Sequence, residues 1–352
     1  MALQGLFPGL ATGIGSLPHQ EMEAALDLVF EHLPHAPHWP QLQSLRYTEK
    51  MEVQPVEGLP GLRHLPEKKS VYVDAEAGES ELAEFYEKAL AAEAGGDLEA
   101  FAMSPDYAEG FHAFLDRLGS LDRRLPLVKA QIIAPFSFGY TIHDQEGRPI
   151  LFHPSWGDAC MRLLALKSLW QIKRLSAHAE RVLFFLDEPM LSAYGSTAML
   201  TVSRAEVNER LNQVIAPIQA AGAIAGMHCC GNTDWGLVME SRLDVVNFDA
   251  YNFGSTMAIY PKEVNRYLER GGWFAAGIIP TSEAIDREDE CSLLARLQGW
   301  IEELARAGID RGLLKSRTII TPACGCGTLR IDQAEKIYRL LNQLENRYQE
   351  LD

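Results

Sequence analysis

His228 and Cys230 stand one residue apart in the run Met227-His228-Cys229-Cys230-Gly231-Asn232, at the end of an apolar stretch. On extended chain, residues i and i+2 point to one face, so the imidazole and the thiol look the same way. Nitrogen and sulfur donors together suit zinc, a borderline-soft ion. Far downstream, Cys324 lies in Pro322-Ala323-Cys324-Gly325-Cys326-Gly327, again just past an apolar run. Three protein ligands with a fourth position left open are the pattern of a catalytic zinc, unlike a closed structural site. Asp249, ending the run between them, is a candidate fourth ligand or a carboxylate that orients a ligand. Cys326 has the parity of Cys324 and competes with it as ligand, whereas Cys229 faces the other way and reads as a packing residue. The bland alternative is a set of small buried residues, since free cysteine is commonly just that.

A second group is acidic. Asp187 and Glu188 follow the apolar run at 181–186, so one faces the mouth of a site and the other its wall. A buried carboxylate is costly unless it meets a cation or several donors. A substrate amino group would serve, and so would a lysine or arginine on a neighbouring strand. Residues 12–18 place Ser16 in a Gly-supported turn whose backbone N–H groups and hydroxyl suit a carboxylate or phosphate. His32, His35, His38 and Trp39 also cluster, but in a Pro-interrupted stretch that reads as a loop.

These groups need a scaffold, and the chain supplies an alternation of short β-rich runs and longer helical patterns. Strands are expected at residues 11–16, 127–133, 181–186, 223–227, 245–248, 273–278 and 318–320, with 71–74 or 98–103 as the second. Helices are expected at 20–33, 79–94, 156–180, 261–270, 287–307 and 330–349, and at 203–221 behind a Ser203/Glu206 capping box. About eight such units predict an α/β fold of the (β/α)8 TIM-barrel type, with a doubly wound open sheet as the alternative. No GxGxxG or GxxxxGK[ST] follows a strand, which counts against the nucleotide-binding form of that alternative. Ser16, His19, Asp187, Glu188, His228, Cys230, Asp249 and Cys324 all fall at or just after strand C-terminal ends, which in a parallel barrel share one mouth. Residues 1–352 read as one domain, with 34–69 as an irregular insertion that lids the mouth.

Composition narrows the partners. The 352 residues carry 32 Lys+Arg against 48 Asp+Glu, a net charge of −16. That balance argues against nucleic-acid or anionic-membrane binding, which reward clustered basic residues. Hydrophobic residues at 47% are ordinary for a packed globular chain. No basic residue precedes the apolar N-terminal stretch, so no signal peptide is expected, and no run approaches the ~18 apolar residues of a membrane helix. The expected compartment is the cytoplasm, where clustered cysteines suggest metal or catalysis before disulfides.

The motifs at 12–19 (TGIGSLPH), 186–190 (LDEPM), 228–232 (HCCGN), 244–250 (DVVNFDA) and 321–327 (TPACGCG) together resemble the catalytic barrel of cobalamin-independent methionine synthase. They also resemble the corrinoid-linked zinc methyltransferases of the uroporphyrinogen decarboxylase superfamily. The resemblance implies a zinc-bound thiol, most simply homocysteine, that attacks an electrophilic methyl group. By position it implies His228, Cys230 and Cys324 as zinc ligands, and Asp249 where the synthases carry a glutamate. It further implies Asp187 as the carboxylate that holds the substrate amino group, and Ser16 at the substrate's backbone end. Residues 276–281 lack the histidine of the folate-using enzymes, and HCCGN leans toward the corrinoid-linked ones. The expected methyl donor is therefore a methylated corrinoid protein. Alternatives are transfer to another thiol such as coenzyme M, a uroporphyrinogen decarboxylase-like reaction, and a non-catalytic corrinoid- or metal-binding module.

Overall fold

The computed structural model describes residue 3, residues 5–196, residue 199 and residues 202–351. Its first two strands, β1 (Leu62–Leu65) and β2 (Ser70–Val73), form an antiparallel pair of their own. The main sheet is all parallel and follows chain order: β3 (Leu125–Ile133), β4 (Ala179–Asp187), β5 (Ile224–Cys229), β6 (Val245–Phe248), β7 (Trp273–Ile279) and β8 (Thr318–Pro322). Every residue of β5 through β8 is buried, which is why these strands read as mostly apolar runs without polar alternation.

The expected second strand is corrected. Residues 71–74 fall largely in β2, because pairing across a short turn to β1 closes a small loop and costs little entropy. Residues 98–103 hold only a single 3-10 turn, Glu99–Phe101. The neighbour of β3 is instead the stretch around His38, where the Lys129 N–H donates to the Pro37 carbonyl at 2.8 Å. Pro37 and Pro40 lack the N–H a ladder needs, so this segment makes single bridges and carries no strand signature. At the other edge, Thr12 N–H donates to Ile320 O at 3.1 Å and Ile320 N–H to Leu10 O at 2.8 Å. The two segments meet each other, with Leu17 N–H on Gln41 O at 3.1 Å and Gln41 N–H on Gly15 O at 3.0 Å.

Twelve helices among the described residues separate and cover these strands: α1 (Met22–His32), α2 (Glu79–Glu93), α3 (Pro105–Gly119), α4 (Pro135–Thr141), α5 (Pro154–Leu175), α6 (Arg204–Ala220), α7 (Trp235–Glu240), α8 (Ala250–Phe253), α9 (Pro261–Glu269), α10 (Glu290–Arg306), α11 (Arg311–Ser316) and α12 (Ile331–Arg347). Ser203 caps α6 as expected, its hydroxyl accepting the Glu206 N–H at 3.2 Å, a contact worth about 1 kcal/mol. The large core lies between sheet and helices. A smaller apolar cluster takes Leu10, Ala36, Leu127, Leu183, Ile224, Val245, Ala275 and Ile319, and so draws on all six sheet strands and both bridging segments. No described helix is long and apolar enough to cross a membrane.

Candidate metal centre

Parallel strands of matched stagger end side by side, and here the pairing of β4 with β5 sets Asp187 beside His228. β8 ends at Pro322 and hands the chain to the loop that carries Cys324. The loop is held close by its glycines: a Cβ at Gly325 would overlap the Ser16 hydroxyl, and the Gly327 N–H donates to Ser16 Oγ at 3.2 Å. The Cys326 N–H also donates to the Ser16 carbonyl, at 2.8 Å.

The result is a cluster in which one ligand atom each from His228, Cys230 and Cys324 lie within 4.8 Å of one another. In a tetrahedral zinc site, with sulfur at ~2.3 Å and nitrogen at ~2.0 Å, ligand atoms stand roughly 3.5–3.8 Å apart. The three atoms therefore need to close by only about 1 Å to hold the ion, and their chemistry is that of zinc. The His228 Nδ1 hydrogen-bonds Asn247 Oδ1, while its Nε2 is buried without a partner. The Cys324 thiol and His228 both pull the Cys230 thiol well below its ordinary range, and Cys324 correspondingly retains its proton. Burial opposes a charged His228, yet the Cys230 contact and the Asp187 charge lift it above its ordinary value. Cys230 is thus the anionic donor of the group, set between two groups that hold their protons.

A cavity of about 210 Å³ opens on these groups and is lined by Ile14, Ser16, Gln41, Gln43, Glu49, Met51, Glu52, Asp187, Pro189, His228, Cys230, Cys324 and Gly325. Residues 41–52, inside the expected insertion, supply one wall. A larger apolar groove between α2, α5 and α6, about 970 Å³, carries none of the expected site residues.

Asp187 is 3% exposed and its Oδ1 has no hydrogen-bond partner. Burial pushes its carboxyl up to about 6, against the pull of Lys129 and His228. Lys129 was not singled out in the sequence, although a lysine inside an apolar run is itself a signal. It is fully buried, donates to Gln131 Oε1 at 2.9 Å and to the Ile14 carbonyl, and lies 4.9 Å from the centre of the Phe185 ring. Burial lowers it to about 7. Asn247 was likewise passed over.

Two expected site residues are engaged elsewhere. Glu188 does not line the cavity: its Oε2 accepts the Phe136 N–H at 2.8 Å, and its Oε1 accepts the Ser137 N–H at 2.8 Å and the Ser137 hydroxyl. It satisfies free N–H groups at the start of α4, as a carboxylate at a helix N-terminus does. Asp249 caps α8, with Oδ1 accepting the Asn252 N–H at 2.8 Å and Oδ2 the Asn252 side-chain amide at 2.6 Å. Both of its oxygens are occupied, and it stands outside the three-ligand group. Cys326 is buried, its thiol pushed up to about 12, and also stands outside that group. Cys229 is buried and donates to Gly231 O at 3.5 Å. His19 faces a different cavity, shared with Glu335 and Arg339.

No protein-family model matches the chain, and no curated protein matches it. Solved structures are similar to it, one of them at the level of the fold. A methyltransferase from Methanosarcina mazei is 11% identical with a TM-score of 0.51, over 94% of this chain and 87% of that one. A B12-independent methionine synthase from Shewanella sp. W3-18-1, in complex with selenomethionine, is 13% identical with a TM-score of 0.44, over 67% of each chain. A putative vitamin-B12 independent methionine synthase from Listeria monocytogenes is 18% identical with a TM-score of 0.41, over 62% of this chain and 63% of that one. At these identities the likeness is one of fold, carried by the Methanosarcina structure along nearly the whole chain.

Proposed function

We propose that the chain is a zinc-dependent methyltransferase that activates a small aminothiol, homocysteine in the simplest case, for attack on a methyl donor. The observation that carries this reading is the meeting of His228, Cys230 and Cys324 beside Asp187, a buried carboxylate with a free oxygen, on one cavity. We read the sheet and its two bridging segments as an eight-membered barrel. The single bridges at Ala11–Ile320, Ser16–Gln41 and His38–Lys129 support this, as does the inner apolar cluster.

His228, Cys230 and Cys324 would hold the metal, with the fourth position left to the substrate sulfur. Zinc bound there would act as a Lewis acid that lowers the thiol pKa from ~8.5, so that sulfur attacks as an anion. The chain's own groups do the rest. Asp187 accepts the substrate ammonium, at a distance from the sulfur fixed by the register of β4 on β5. Ser16 binds the backbone end of the substrate and anchors the Cys324 loop. Burial excludes water from the thiolate and strengthens each of these contacts. A cavity of about 210 Å³ suits the acceptor alone, so the donor, on our reading a methylated corrinoid protein, approaches from the mouth.

A sulfonate thiol such as coenzyme M fits this cavity less well. The described lining residues include Glu49, Glu52 and Asp187 but neither lysine nor arginine. The first experiment is metal analysis of protein purified without added metal, followed by methyl transfer from methylcobalamin or methyltetrahydrofolate to homocysteine. We expect about one zinc per chain, absent from Cys324→Ser and His228→Ala, and turnover with the corrinoid donor. A wild-type protein that takes up no zinc when it is offered would refute the mechanism. Comparable rates with the folate would refute the donor.

A further inference from the structure

Asn247 lies within β6 and has no exposed surface. Its Nδ2 donates to the Ala275 carbonyl at 2.7 Å and to Thr321 Oγ1 at 2.7 Å. A carbonyl only accepts, so the amide nitrogen must face β7 and β8, and the side chain has no second orientation. Its Oδ1 is thereby left facing β5, where it meets His228 Nδ1. An amide oxygen also only accepts, so the proton of the neutral ring sits on Nδ1. That leaves Nε2 as a bare lone pair, and Nε2 is the ring atom buried without a partner.

We propose that Asn247 is a positioning residue for the metal, fixing His228 in the Nδ1–H tautomer with Nε2 presented to the ion. The same side chain ties His228 to β8 through Thr321, just ahead of the loop that carries Cys324, and so couples the two arms of the site. The inference rests on the metal reading above. Histidines that bind metals generally donate their other ring N–H to a fixed acceptor, and loss of that acceptor typically weakens metal binding 10–100-fold. A merely structural Asn247 would do no more than join β6 to β7 and β8. The two roles part at Asn247→Asp, which keeps an acceptor for the histidine but turns an acceptor toward the Ala275 carbonyl. Asn247→Leu removes both contacts.

The test measures zinc affinity by chelator competition, and ring protonation by nitrogen-15 NMR of histidine-labelled protein, with His228→Ala identifying the resonance. Wild-type protein loaded with zinc should carry the His228 proton on Nδ1. Asn247→Leu should bind zinc about 10–100-fold more weakly, and Asn247→Asp should recover to within about threefold of wild type. An Asn247→Leu protein that binds zinc as tightly as wild type overturns the proposal, as does Asn247→Asp falling below Asn247→Leu. If Asn247→Leu does not fold, the wild-type ring decides, and a proton on Nε2 overturns the proposal. A wild-type protein with no zinc affinity refutes the metal reading instead. The zinc-free ring, recorded at a pH where its spectrum shows a single ring proton, then reports on Asn247 alone, since a proton on Nδ1 supports its role and one on Nε2 removes it.

Discussion

Replacing Asp187 by asparagine should make the zinc-free protein more stable and a poorer enzyme. The carboxyl is buried, has one oxygen without a partner, and titrates near 6 in the folded chain against an ordinary 3.8. The folded state therefore holds this proton more tightly than the unfolded state, and stability falls as pH rises from about 4 through about 6. At about 1.36 kcal/mol per pH decade, the ionised group costs the fold about 3 kcal/mol at pH 7.5 and about 1 kcal/mol at pH 4.5. Asparagine has no charge to bury, so the variant should gain that difference, or roughly 4 °C in Tm at pH 7.5 for a chain of this size. Urea unfolding of chelated wild-type and Asp187→Asn protein at the two pH values measures it. The same change deletes a charge-assisted hydrogen bond worth about 1.5–3 kcal/mol to a bound ammonium, so KM for an aminothiol should rise roughly 10- to 150-fold. A thiol without the amine should be unaffected. An advantage that does not grow with pH would refute the burial argument, and an unchanged KM for homocysteine would refute the role given to Asp187.

The neighbouring acid differs in its partners. Glu188→Gln turns an amide toward the Phe136 and Ser137 donors and should lose about 1–3 kcal/mol of stability in low-pH melts, with KM unchanged; because burial also pushes the Glu188 carboxyl up to about 7, that loss should shrink as pH rises toward 7. Cys326→Ser should keep about one zinc per chain by mass spectrometry where Cys324→Ser keeps none, and equal loss in both would show that the pair share the ligand role. Gly325→Ala forces a methyl group into Ser16, which should cost about 1–3 kcal/mol in denaturant unfolding and raise KM for the thiol; a neutral outcome would mean that the loop yields easily.

The longer helices after β3 and the six sheet strands were legible because each strand is a buried, mostly apolar run and most of those helices are amphipathic. Between α1 and β3 only α2 was. There the sheet's neighbour is a proline-broken stretch whose contribution is two or three backbone contacts, and the residues with strand composition, 70–73, pair locally instead. The α3 helix escaped notice behind Pro105 and Gly110 despite an apolar face at Phe111, Phe114, Leu115 and Leu118. Of the candidate site, the meeting of His228, Cys230 and Cys324 was legible because spacing on a strand fixes facing, and because strand ends of a parallel sheet converge.

What spacing alone could not settle is which of two adjacent carboxylates looks inward. In β4 both faces are apolar, so the alternation of side chains gives two sets without saying which one lines the interior. The polar residues in the runs break that symmetry. Lys129 and Gln131 in β3, Asn247 in β6 and His228 in β5 are all buried, and a buried polar group survives only where it finds partners. They bond largely to one another and to the segments around Ile14 and Trp39, so they mark the inner face. Register then carries the assignment across: Gln131 pairs with Phe185, Ile133 with Asp187, and Asp187 with His228. Asp187 therefore shares the inner face with Leu183 and Phe185, while Glu188 falls on the opposite parity, toward α4. Polar residues inside apolar strands thus hold the information that tells a cavity-facing carboxylate from a helix-capping one, and in this chain they lead as well to Asn247 behind the histidine.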